Sequence, residues 1–324
     1  MNKQGKRVVL IGSAGTGTAF AAATALRRVW SQSVCIVAID INPWHLFTTS
    51  LLADEYEHVP FSNSETFPTV LQEIIQRYAV DTYMPLLPDE MLLAAQLRDQ
   101  SLIPTEVSVL APPTESCAAC ADKWTLNQLL AEHGVPVPRS SSASDPFAGK
   151  DFFLKPKNGT GSYGARKVKA DELASIVGNS AEEWVIQEIC TGPEVTVDAF
   201  YDKSSNFIRA VCRERIEIKS GVSTKCRLFI DKDLCRYALS VATILDLTGS
   251  FCFQVMRNTS GWVVIDVNPR PGGGTAMCAL VGNDFFAATF AQIWGEDTIR
   301  FFREFEGDHF VTRQYAEFLM SPSS

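Results

Sequence analysis

Apolar runs and polar breaks change character near residue 112. Before that point, short apolar runs of β type recur: RVVLI (7–11), VCIVAID (34–40), DTYMPLL (81–87) and VSVLAPP (107–113). Helical patterns lie between them. Phe67, Val70, Leu71, Ile74, Ile75 and Tyr78 follow i, i+3, i+4, i+7 spacing and predict a helix over 64–79, with Ser64 as its N-cap. Pro88-Asp89-Glu90 reads as a further helix start. Strands alternating with helices imply a parallel, doubly wound sheet.

Beyond 112 the pattern turns to helix followed by antiparallel β. A helix is expected over 114–132, closed by Gly134 and the Pro136/Pro138 pair, and 140–150 reads as loop. FFLKP and WVIQEI are strands, and EVTVDAFYD pairs with FIRAVCRERIE as a hairpin around 202–206. Leu234, Ala238, Val241 and Leu245 place a helix over 231–247, with Gly249 as its C-terminal stop. SFCFQVMRN and WVVIDVNP form a second hairpin across Asn258–Gly261.

The 324 residues exceed the roughly 250–300 at which one core stops growing, so two or three domains are expected. A formal charge of −8 argues against bulk nucleic acid or an anionic membrane surface as main partner, and no apolar run reaches the roughly 18 residues of a membrane span. Nine cysteines, an odd number without a disulfide pattern, fit a reducing, cytoplasmic setting. Cys117 and Cys120 lie in an Ala-rich helical stretch without a nearby His and read as core residues rather than a zinc or redox site.

Three motifs carry chemistry. Gly12, Gly15 and Gly17 follow a strand, interrupt what would otherwise resemble a signal peptide, and precede Asp40 at the end of the next strand. A dinucleotide site, a substrate role and a plain tight βα turn all remain open there. Lys155 ends a strand and is followed by Gly159, Thr160, Gly161, Ser162 and Gly164 before the next strand, a flap whose N–H groups can close over phosphates. In WVVIDVNPR, alternation puts Val263, Ile265 and Val267 on one face and Val264, Asp266 and Asn268 on the other. A carboxylate and a carboxamide at i, i+2 suit Mg²⁺. The hairpin brings Gln254 opposite Asp266 as a third oxygen ligand, and Arg270 lies just beyond, in reach of a transferring phosphoryl group.

These residues resemble the ATP-grasp superfamily, in the branch of the carbamoyl-phosphate synthetase large subunit, over nearly the whole chain. Asp122-Lys123 with its following helix is similar to the family's "DK" lysine; Lys155 and Gly159–Gly164 resemble its phosphate lysine and flap. Gln187-Glu188-Ile189 and Glu194 are similar to the adenine hinge and the ribose-binding Glu, and Gln254, Asp266, Asn268 and Arg270 to the metal and phosphoryl site. Arg213, Arg215 and Gly221–Ser223 resemble a segment that approaches phosphates and substrate. The branch usually has Glu where Asp266 stands, so a shifted metal is expected.

The resemblance implies an α/β N-terminal parallel-sheet (pre-ATP-grasp) domain, 1–112, plus an α+β ATP-grasp fold of two subdomains, 113–186 with the flap and 187–324 with the metal site. ATP and Mg²⁺ (or Mn²⁺) are the implied cofactors, with Lys123 and Lys155 on the phosphates. The partners would be small carboxylate and amine substrates of amino-acid type, and a homodimer is compatible. A stand-alone carboxylate–amine ligase acting through an acylphosphate is expected. The alternatives are phosphorylation or carboxylation of a small acid, and a non-catalytic ATP-binding module.

Overall fold

The computed structural model describes residues 5–159, 164–219 and 221–320, which form two compact units. The first contains residues up to 117, 270–304 and from 314 on; the second contains 118–269 and 305–313.

In the first unit a five-stranded parallel sheet runs in the order β3-β2-β1-β4-β5. Its strands are β1 (Arg7–Ile11), β2 (Val34–Asp40), β3 (Glu55–His58), β4 (Thr82–Met84) and β5 (Ser108–Val109); α1 (Gly17–Trp30), α2 (Phe67–Tyr78) and α3 (Pro88–Asp99) connect them. The two-residue period of β1 sorts its side chains. Val8 and Leu10 join Phe67, Leu71, Ile74 and Ile75 of α2 in one core, whereas Val9 and Ile11 join Ala19, Ala22 and Leu26 of α1 in another. Ser64 does not cap α2. The helix starts at Phe67 after Thr66, without a side-chain cap, and Ser64 bonds Thr66 instead.

Residues 187–324 do not form a single subdomain, because 270–304 belongs to the first unit. The reason is burial. The helix Phe285–Ile293 inserts Phe286 and Phe290 into the core made by Val9, Ile11 and Leu26. Each such ring is worth about 1.5–3 kcal/mol. Glu296 then accepts from Arg7 Nη1 at 2.5 Å and from the Trp30 indole N–H at 3.2 Å, and these bonds lower its pKa against the opposing push of burial.

The second unit starts within helix α4 (Thr114–Ala121), which is separate from α5 (Lys123–Glu132). The single helix expected over 114–132 breaks at Asp122. This residue leaves helical geometry (φ −101°, ψ 107°), and its carboxylate accepts from the N–H groups of Trp124 at 2.8 Å and Thr125 at 2.9 Å. Asp122→Ala should therefore cost about 1 kcal/mol, readable as a lower urea midpoint with an unchanged m-value.

A four-stranded sheet, β6-β9-β7-β8, is built from β6 (Ser140–Ser142), β7 (Asp151–Pro156), β8 (Arg166–Lys169) and β9 (Trp184–Gln187), with the short α6 (Leu173–Val177) between β8 and β9. Ser140–Ser142 is thus a strand rather than part of a loop; pairing with β9 overrides its weak serine propensity.

A six-stranded antiparallel sheet has the order β14-β13-β10-β11-β12-β15. It comprises β10 (Thr191–Asp202), β11 (Phe207–Lys219), β12 (Val222–Phe229), β13 (Gly249–Asn258), β14 (Gly261–Asn268) and β15 (His309–Thr312), with α7 (Lys232–Ile244) after β12. One face is core. Val195, Val197, Ala199, Phe251, Phe253 and Val255 pack with Leu126 and Leu130 of α5 and Leu234, Ala238 and Val241 of α7. The region around α5 therefore shares the core of the large sheet and not that of the flap sheet, which shifts the boundary expected at 113–186. Helix α7 is capped at Leu245, and Gly249 opens β13 instead of closing the helix.

Candidate functional site

Strand alternation turns the other face of the six-stranded sheet polar. Pairing aligns Arg213, Thr196, Gln254 and Asp266 in one row across β11, β10, β13 and β14, and Asp198, Cys252 and Asn268 in the next. Glu194 extends the same face along β10, since 194, 196 and 198 alternate with the core residues 195, 197 and 199. Gln254, Asp266 and Asn268 are all half-buried, and the Asn268 amide donates to Asp266 Oδ2 at 3.2 Å. The three expected metal ligands are thus side by side.

Their placement depends on a feature that strict alternation misses. The register shifts between Gln254↔Asp266 and Val255↔Val264, which makes Ile265 the extra residue of a β-bulge. Val264 consequently faces the core together with Val267, opposite Val255 and Phe253, and is not on the Asp266 face. Ile265 becomes half-exposed, and its carbonyl accepts from Lys155 Nζ at 3.1 Å. Lys155 itself is 6% exposed. Burial pushes its ammonium down to about 8; Asp266 opposes the fall and Lys123 adds to it.

Lys123 follows the Asp122 cap, and its Nζ donates to the Gly159 carbonyl at 2.7 Å, so both expected phosphate lysines converge at the base of the flap. Gly159 (φ 121°) and Gly164 (φ 77°) bracket that segment in left-handed backbone, while Thr160, Gly161 and Ser162 lie outside the described residues.

In the hinge, the side chains of Gln187 and Glu188 are already engaged. Gln187 Nε2 donates to Ser140 Oγ at 2.9 Å. Glu188 Oε1 accepts from the Arg139 N–H at 3.1 Å and from Asn258 Nδ2 at 2.9 Å. Ile189 and Cys190 follow, both half-exposed. Arg213 is likewise committed: its Nε donates to Asp198 Oδ2 at 2.9 Å and its Nη1 to Ser223 Oγ at 3.0 Å, with 3% and 0% of the two charged residues exposed. Arg215 pairs with Glu194. Sequence reading missed both pairs; the one available signal was the alternation of Glu194, Thr196 and Asp198 with apolar neighbours. Arg270 is in the first unit, half-exposed, and donates to the Pro271 carbonyl at 2.9 Å. Among the described residues no three His, Cys, Asp or Glu side chains converge as a metal cage. The donor set is one carboxylate and two amide oxygens. This fits Mg²⁺, which takes few protein ligands and completes its shell with phosphate oxygens and water.

The N-terminal glycine turn is filled from inside the chain. A Cβ on Gly12 would lie 1.6 Å from Glu90 Oε1. Glu90, 3% exposed, accepts from Ser13 Oγ at 2.5 Å and Tyr83 Oη at 2.7 Å, and Asp40 Oδ2 takes the Gly15 N–H at 2.6 Å. The space beside Gly12 and the Gly15 N–H are therefore both taken up by carboxylates of this chain. Burial raises the Glu90 pKa. The unfolded chain loses this proton first, so stability is full below the ordinary carboxylate range and falls as pH rises through the folded pKa. Melting temperature followed against pH should show that fall in the parent, and a flatter profile in Glu90→Gln.

The family described as ATP-grasp domain matches residues 120–274. The carbamoyl phosphate synthase large chain of Pyrobaculum aerophilum is 22% identical over 309 residues, covering 85% of this chain; the chain spans only 30% of that relative's length. Among solved structures, the biotin carboxylase domain of Hydrogenobacter thermophilus 2-oxoglutarate carboxylase, in complex with MgADP, ADP and bicarbonate, has a TM-score of 0.71 at 15% identity. The match covers 90% of this chain and 70% of that one. The L-amino acid ligase of Bacillus licheniformis has a TM-score of 0.69 at 12% identity, covering 89% of this chain and 74% of that one. The chain has the ATP-grasp fold. Among the described residues no single helix is long and apolar enough to cross a membrane.

Proposed function

We propose that this chain, whose residues 120–274 match the ATP-grasp domain family, is an ATP- and Mg²⁺-dependent carboxylate–amine ligase. The observation that carries the proposal is the buried Lys155, held by the bulge carbonyl of Ile265 beside the Gln254–Asp266–Asn268 row. A cation fixed next to an oxygen-rich donor set is what a triphosphate with its metal requires.

Lys123 and Lys155 hold phosphate oxygens, and the 159–164 segment excludes water from them. With the Gln187 and Glu188 side chains engaged, the hinge offers its main chain around 188–190 to adenine, and Glu194 accepts from the ribose hydroxyls. Gln254, Asp266 and Asn268 are the residues that would hold Mg²⁺, which when bound neutralises phosphate charge. Arg270 stabilises charge on the transferring phosphoryl group. The substrate carboxylate oxygen attacks the γ-phosphorus and ADP leaves. An amine nitrogen then attacks the acyl carbon, the C–N bond forms, phosphate departs with the carboxylate-derived oxygen, and the nitrogen gives up one proton to that phosphate or to water. Substrates of amino-acid type are favoured by the likeness to the L-amino acid ligase.

A second reading, phosphorylation or carboxylation of a small acid, is favoured by the likeness to the bicarbonate-bound carboxylase domain. ADP release that depends on an amine separates the two. The first test is thermal protection. MgATP should raise the melting temperature and NAD should not; protection by NAD alone would overturn the proposal.

A further inference from the structure

We propose that Arg215 is a positioning residue for the nucleotide site, holding the Glu194 carboxylate in the orientation that receives the ribose hydroxyls. The inference rests on the assignment of Glu194 to ribose made above. Glu194 stands at an irregularity of the sheet. The β10–β13 register shifts between Thr191 and Val195, Gly192 is left-handed at φ 91°, and the β10–β11 ladder begins only at Val195↔Glu214. One position beyond that pair, Arg215 faces Glu194 and donates Nη1 to its Oε1. Its other arm, Nη2, donates to the Gly221 carbonyl at 2.7 Å, in the turn that returns from β11 to β12.

Accessibility distinguishes the two partners. The Arg215 side chain is 7% exposed and that of Glu194 is 28%. The guanidinium is therefore enclosed and the carboxylate keeps an open side. A planar fork with one arm on the turn and one on the carboxylate fixes a side chain that would otherwise sample several rotamers. Fixing it before binding removes an ordering cost from nucleotide association. The Arg–Glu pair, and not Glu194 alone, then distinguishes a ribose from a deoxyribose. The neighbouring Arg213 instead donates to the buried Asp198 and to Ser223.

The test is calorimetric binding of MgATP and of its 2′-deoxy and 3′-deoxy analogues, without turnover. The parent should prefer MgATP over both. Arg215→Ala should weaken MgATP on the order of tenfold and bring the ratio to the deoxy analogues close to one. Arg215→Lys keeps the charge but not the fork, and should lose part of the discrimination even if the alanine variant folds poorly. In a Glu194→Gln background, adding Arg215→Ala should change the ratio less than about twofold, as coupled neighbours do. A parental ratio retained in both Arg215 variants, with MgATP still bound, overturns the positioning role and leaves the proposed function standing. Absence of MgATP binding in the parent overturns both.

Discussion

Lys155→Ala lowers ATP turnover about 10²–10³-fold, the loss typical when one preorganised donor is removed from developing charge. The expectation follows from how the ammonium is held. Its stem is buried, its Nζ donates to Ile265 O, and Asp266 lies within electrostatic reach. The neighbouring Lys123 donates to the Gly159 carbonyl, so its charge is already held at a different place. Asp266→Ala should cause a comparable loss, whereas Asp266→Glu should retain activity, since the added methylene moves the carboxylate without removing it. Both are read as ADP release normalised to folded protein. If Lys155→Ala stays within threefold of the parent, the phosphate site lies elsewhere.

Arg213→Met destabilises the protein by about 3–5 kcal/mol, because it removes the guanidinium paired with the buried Asp198 carboxylate. On the polar face of the six-stranded sheet Arg213 shares the row of Gln254 and Asp266 and Asp198 stands in the next, so the loss also affects the geometry of the proposed metal row. Replacing both partners, Asp198→Leu with Arg213→Met, should recover most of the stability, since burying two apolar side chains removes the desolvation cost of both charges. Urea unfolding of the two single variants and the double variant measures this. A loss below about 1 kcal/mol for Arg213→Met would mean that the pair is solvated and that Arg213 is free for a ligand.

Much of this was legible because periodicity reports burial. The α2 stripe and the alternation in β10 follow from which side chains must leave water, and both match the observed cores. The motif around Asp266 was legible for the same reason, since a carboxylate and an amide at alternate positions declare a polar face. What alternation could not supply was the Ile265 bulge. An inserted residue changes the register without changing composition, and only the pairing with β13 exposes it. Asp122 was read for its lysine neighbour and not as a cap that splits a helix, because both halves carry helix-forming residues. The return of 285–293 to the first unit was not visible either. An apolar helix states that it must be buried, not in which core. The commitments of Arg213, Arg215, Gln187 and Glu188 each include a partner 15 to 70 residues away, beyond what local spacing encodes.

Whether ATP is spent to join a carboxylate to an amine is decided by ADP release over a panel of carboxylic acids crossed with amino acids and other amines, with product masses read from the same wells. Release is expected only where an acid and an amine are both present, together with a product whose mass is their sum less one water. Release that is unchanged when the amine is omitted, with no condensed product at any pairing, would contradict that expectation.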